Sequence, residues 1–88
     1  MRIAMATLEQ LSSMFIGKRV RIAHTRERVG TFLGKCKAIH ANQGALSPFD
    51  IELMNGDRYG FVPEIITATS VEGPLHAGCG GRRKITLV

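Results

Sequence analysis

The sequence predicts a mainly β fold, a small five-stranded barrel with a short N-terminal α-helix. Three features predict it. Two alternating apolar runs flank Asn55-Gly56, a strong hairpin signal. A long β-prone run, Val29 to Ala41, carries Gly30 and Gly34, where a strand can bend sharply enough to serve two sheets. Helical periodicity is confined to one short segment near the N-terminus. The 88 residues make one small domain, and a chain of that size buries roughly 60–65% of its unfolded surface. Closure into a barrel would hide strand edges that so small a sheet otherwise exposes.

In chain order, residues 1–6 read as a lead-in. Thr7-Leu8-Glu9-Gln10 fits a capping box, in which the Thr7 hydroxyl accepts from the third backbone amide and Gln10 reaches back. Leu8, Leu11 and Phe15 then recur at helical spacing, with Met14 beside them, and Gly17 is a natural stop. A helix is predicted from about Leu8 to Phe15. Two turns are not stable alone, so it must pack on something, and the open end of the barrel is the economical place. Lys18 to His24 reads as the first strand, with Val20 and Ile22 inward and Arg19 and Arg21 outward. Thr25 to Arg28 is a polar connection. In the run from Val29 to Ala41 the inward parity switches: Phe32, Cys36 and Ala38 share one face, Leu33 and Ile39 the other. Asn42 to Pro48 is a loop.

The hairpin that follows, Phe49 to Phe61, can be registered by its apolar residues. A two-residue Asn-Gly loop would split them between the faces. A three-residue loop, Met54-Asn55-Gly56, places Leu53 opposite Asp57, Ile51 opposite Tyr59 and Phe49 opposite Phe61, so one face holds all the apolar residues and Glu52 faces Arg58 on the other. Gly56 then takes the loop position that needs the left-handed conformation. Pro63, which has no N–H, ends the second hairpin strand, and Pro63-Glu64-Ile65 is predicted as one tight helical turn. Ile66 to Val71 is rich in β-branched residues and reads as the last strand. After it, Glu72-Gly73-Pro74 reads as a break, and Gly78, Gly80 and Gly81 loosen the chain ahead of Arg82-Arg83-Lys84. The predicted division is a barrel domain over residues 1–73 and a glycine-rich basic tail over 74–88, whose β-prone last residues, Ile85 to Val88, could add a strand to this chain or to a partner.

Two stretches resemble known families. LEQLSSMFIGKRVRI followed by VGTFLG resembles the start of an Sm-like protein: a short helix, an Ile-Gly-Lys step, a strand of valine and isoleucine, and a bent second strand opening at Gly30-Thr31-Phe32-Leu33-Gly34. The resemblance implies a five-stranded barrel with an N-terminal helix, assembly by strand pairing between subunits, and RNA binding. Where that family holds RNA, this chain reads Lys35-Cys36-Lys37-Ala38-Ile39 and Val62-Pro63-Glu64-Ile65-Ile66, so no RNA-site residue carries over. YGFVPEIIT, Tyr59 to Thr67, resembles the ending of Src-homology-type barrels. That family's proline-rich-peptide groove needs aromatics, above all tryptophan, and this chain has none. Both resemblances are to folds that host many functions.

Charge placement points further. The formal net charge is +5, and the cations gather in the first half: Lys18, Arg19, Arg21, Arg26, Arg28, Lys35 and Lys37, with Glu27 the one acid among them. From Ala38 to Leu75 the balance is acidic. Arg19, Arg21, Arg26, Arg28, Lys35 and Lys37 fall on or beside two adjacent predicted strands and are the candidate nucleic-acid contacts, with Arg82, Arg83 and Lys84 as tail contacts. Base readout also wants exposed stacking aromatics, and Phe32, Tyr59 and Phe61 are predicted to face the core, so phosphate attraction is better supported than base recognition. The leading expectation is a non-enzymatic barrel that binds nucleic acid, RNA slightly ahead of DNA. The alternative is a protein-interaction or self-assembling module that meets an acidic protein surface or forms a homo-oligomer through its edge strands.

Other constellations carry less. His24, His40 and His76 are scattered, and His76-Ala77-Gly78-Cys79 supplies two of the roughly four ligands zinc needs, so no metal, other cofactor or catalytic residue is predicted. The glycines before Arg82 lack the Lys-Ser/Thr step of a phosphate loop. Cys36 and Cys79 read as two free thiols. No apolar run approaches the ~18 residues of a membrane span, and MRIAMA is too short for a secretory signal, so no membrane partner and a cytoplasmic location are expected.

Overall fold

The computed structural model describes residues 7–24, 32–42, 47–74 and 81–88. Helix α1 runs Leu8–Phe15, as its periodicity predicts. The capping box forms, with the Thr7 hydroxyl accepting from Gln10 N at 3.1 Å and the Gln10 side chain accepting from Thr7 N at 3.0 Å. Leu11 and Phe15 are buried, and α1 packs on strand β2 (Phe32–Ala41).

The remaining strands are β1 (Arg19–His24), β3 (Phe49–Leu53), β4 (Arg58–Phe61), β5 (Ile65–Ile66), β6 (Ser70–Pro74) and β7 (Arg82–Leu87). The fold is mainly β with one short helix, but the five-stranded closed barrel is corrected. Among the described residues the strands number seven and form one open antiparallel sheet in the order β4-β3-β2-β1-β7-β6-β5. The two extra strands come from a split of the last predicted strand into β5 and β6 and from β7 at Arg82–Leu87. Ile66 to Val71 is not one strand: the Thr67 hydroxyl accepts from the backbone N–H of Thr69 and Ser70, and this local turn splits the β-branched run into the β5–β6 hairpin. The predicted helical turn at Pro63-Glu64-Ile65 is absent; residues 62–64 are irregular and Ile65 opens β5.

Residues 82–87, assigned to the tail on sequence, form a central strand. β7 pairs with β1 from Val20↔Leu87 to His24↔Arg83 and with β6 from Ser70↔Thr86 to Pro74↔Arg82. Ile85 is fully buried between Ile22 and Val71. Glu72-Gly73-Pro74, read as a break, lies within β6. Glycine is needed there for a tertiary reason, because a Cβ at Gly73 would run into the Val62 carbonyl group just past β4. The sheet therefore coils far enough to bring the end of β4 against β6, although no ladder joins them.

The hairpin register is Phe49↔Phe61, Ile51↔Tyr59 and Glu52↔Arg58. Gly56 N donates to Leu53 O and Leu53 N to Asp57 O, both at 2.9 Å, and Gly56 has φ +94°. This is the three-residue loop that the apolar parity predicts. β2 switches parity, as expected, but at a bulge between Cys36 and Ala38 and not at Gly34: Cys36 and Ile39 are both buried, Leu33 is 52% exposed, and Ala38, expected on the face of Cys36, lies opposite Glu52 on the other face because the bulge adds one residue between them. Burial pushes the Cys36 thiol up to about 11, so it is a core group and not a nucleophile at neutral pH. Among the described residues no helix is long and apolar enough to cross a membrane.

Candidate nucleic-acid interface

Strand β1 organises the cationic face because it alternates strictly. Val20 and Ile22 are fully buried, so Arg19 and Arg21 must point outward, and both are exposed. Its two neighbours set what stands beside them. On the β2 side, Lys35 lies directly opposite Arg19 and Leu33 opposite Arg21. On the β7 side, Thr86 lies opposite Arg21 and Lys84 opposite Ala23. Residues directly opposite on antiparallel strands share a face, so Lys35, Arg19, Arg21 and Lys84 form one outward patch across three strands. None of the four makes an ion pair among the described residues.

The other predicted contacts are placed elsewhere. Lys37 sits at the β2 bulge and pairs with Glu52 at 3.6 Å. That carboxylate also takes a 2.7 Å contact from His40 Nε2, and the His40 hydrogen bond, with Lys37 and Arg58 nearby, holds Glu52 below the usual carboxylate range. Arg58 pairs with Asp50 at 3.1 Å on the same face of β3 and β4, so the acids of that wall already have cationic partners. Arg26 and Arg28 lie outside the described residues.

The three tail cations separate. Arg82 is held by two acids, with Nε donating to Glu72 at 3.1 Å and Nη2 to Glu64 at 2.9 Å. Arg83 has the opposite parity and turns inward. Its Nε donates to His24 Nδ1 at 3.2 Å, its Nη1 donates to the Gly60 carbonyl on β4, and its guanidinium lies 5.5 Å from the Tyr59 ring centroid. Accepting at Nδ1 requires neutral His24 with its proton on Nε2. Phe32 adds ring contacts to His24 at 5.8 Å and Tyr59 at 5.2 Å. This cluster ties β7 to β4 across the sheet interior, so Arg83 has a structural role. Lys84 alone of the three joins the open patch. Sequence reasoning grouped it with its neighbours because a tail has no parity. The signal available was the alternation in Lys84-Ile85-Thr86-Leu87, which puts lysine and threonine on one side and isoleucine and leucine on the other.

All the Phe and Tyr residues are turned away from this patch. Phe15 and Phe61 are buried, Phe49 stacks on Phe61 at 5.9 Å, and Phe32 and Tyr59 pack against the core. The chain contains no tryptophan. Comparison with family models, curated proteins and solved structures finds no match to this chain; its small, mainly β antiparallel sheet is compatible with a barrel-like fold.

Proposed function

We propose that the protein binds nucleic acid through the phosphate backbone, using the outward face of β2, β1 and β7. The observation that carries this reading is the juxtaposition of Arg19 and Lys35, directly opposite one another and without an ion-pair partner among the described residues, extended by Arg21 and Lys84. Like charges facing across strands destabilise a sheet. Among the described residues no acid stands opposite Arg19 or Lys35, whereas Lys84 has Glu72 directly opposite it on β6 and nearby Lys37, Arg58 and Arg82 are all paired with acids, so the Arg19–Lys35 end of the face is the part that suits an external polyanion.

The test is Lys35→Glu. The substitution replaces a repulsive cross-strand pair with an attractive one, so the Tm holds or rises slightly while affinity for an oligonucleotide falls on the order of tenfold at low salt. Opposite signs for stability and binding separate a functional patch from a structural one. Unchanged binding, with the fold intact, contradicts the proposal.

A second reading rests on strand β5. This two-residue edge strand shows Ile65 at 50% and Ile66 at 38% exposure, a place for a second copy to pair and so form the homo-oligomer. Light scattering that shows a monomer at high concentration would remove that reading and leave the first intact.

A further inference from the structure

Building on the proposed phosphate-binding face, we infer that its ligand is a double-stranded nucleic acid, held by the phosphate rails on either side of a groove, and not a single strand. Three observations point the same way.

The first is the absence of a stacking platform. Single-strand binders combine a basic groove with aromatic side chains on which successive bases stack. This chain has four phenylalanines, one tyrosine and no tryptophan. All five are in the core or packed against it, and none shares the face of Arg19, Arg21, Lys35 and Lys84.

The second is the shape of the surface. The sheet coils around its core until the end of β4 meets β6, so the core lies on the concave side and the patch lies on the convex side. A convex face cannot enclose a strand in a groove of its own. It can enter a groove that the ligand supplies.

The third is the run of the charges. Lys35, Arg19, Arg21 and Lys84 follow a diagonal over β2, β1 and β7. Two strand spacings across and four residues along place its ends about 16 Å apart. That exceeds the roughly 12 Å width of a B-form major groove, so Lys35 and Lys84 can each reach a rail while β1 lies between them. Leu33 and Thr86 flank Arg21 in the middle of the patch, where fixed charge is not required.

Four neutralised phosphates predict a salt dependence of about −3.6 in log K against log[salt] for a duplex, and about two orders of magnitude lost between 50 and 200 mM salt. The test is fluorescence anisotropy of the full chain with four labelled probes: a DNA duplex, an RNA duplex, a single strand of the same sequence, and anionic lipid vesicles as a phosphate surface without paired rails. Tighter binding to either duplex than to the single strand, with that slope, is the expected result, and the two duplex arms say which helical form fits. A single strand bound as tightly as the duplexes overturns the inference and leaves the proposed function standing. No binding to any nucleic acid, whether or not the vesicles bind, overturns the proposed function as well, which distinguishes the two failures.

Discussion

A chain ending at Gly81 will not fold. Without Arg82–Leu87 the sheet loses the strand between β1 and β6, and Ile22 and Val71 lose fully buried Ile85. Domains of this size are stable by about 4–13 kcal/mol in all. Removal of a central strand with both of its ladders exceeds that margin, since every ladder group it paired is left open along the middle of the sheet. The expected observation is a coil-like far-UV circular dichroism spectrum with no cooperative thermal transition. Ile85→Ala is the graded companion and should cost about 2–5 kcal/mol. A truncated protein that melts like the full chain would mean that residues 82–88 are a tail after all.

The second large effect is expected at Gly73. A methyl group there would collide with the Val62 carbonyl group, which is backbone and cannot swing aside. Gly73→Ala should therefore cost about 2–3 kcal/mol, equivalent to a Tm drop on the order of 10–20 °C. The effect lies at the seam where β4 meets β6, the same seam that the Arg83 bond to the Gly60 carbonyl spans. Gly56 is the control. Its φ is +94° but nothing lies within 4 Å of a Cβ placed there, so Gly56→Ala should cost about 1 kcal/mol from backbone strain alone. Equal, small losses at both positions would show that the seam is not closely packed.

These two positions also mark the limit of what local sequence reveals. The helix was legible to the residue because its cap, periodicity and stop lie within eleven residues. The hairpin was legible because one register, and no other, puts Phe49, Ile51, Leu53, Tyr59 and Phe61 on one face. Gly73 and Pro74 were misleading for a physical reason. Glycine and proline within a run weaken a strand by propensity, and the demand that outweighs propensity here is the approach of Val62 from ten or more residues away in sequence. The same blindness hid β7. Its partners β1 and β6 lie on either side of it in space, and a tail preceded by glycines gives no sign of that gap.

The candidate site divides along the same line. Arg19 and Arg21 could be placed outward from the alternation of β1, and Lys35 from its distance to Cys36. Lys37 could not, because the bulge between Cys36 and Ala38 carries it to the acidic wall beside Glu52. Lys84 required the fold, since it meets the patch only when β7 lies against β1.

The most direct measurement compares Lys84→Gln with Lys37→Gln in equilibrium binding to a DNA duplex across a salt series. Each substitution lowers the formal net charge of +5 by one, so any effect of bulk charge is the same in both. Lys84 lies on the β2–β1–β7 face and makes no ion pair among the described residues, the Glu72 opposite it being taken by Arg82, whereas Lys37 is paired with Glu52 on the wall of β3 and β4. The predicted result is a slope shallower by about 1 and weaker binding for Lys84→Gln, with Lys37→Gln close to the unsubstituted protein. Equal losses from the two, or the larger loss from Lys37→Gln, would contradict a binding face on β2, β1 and β7.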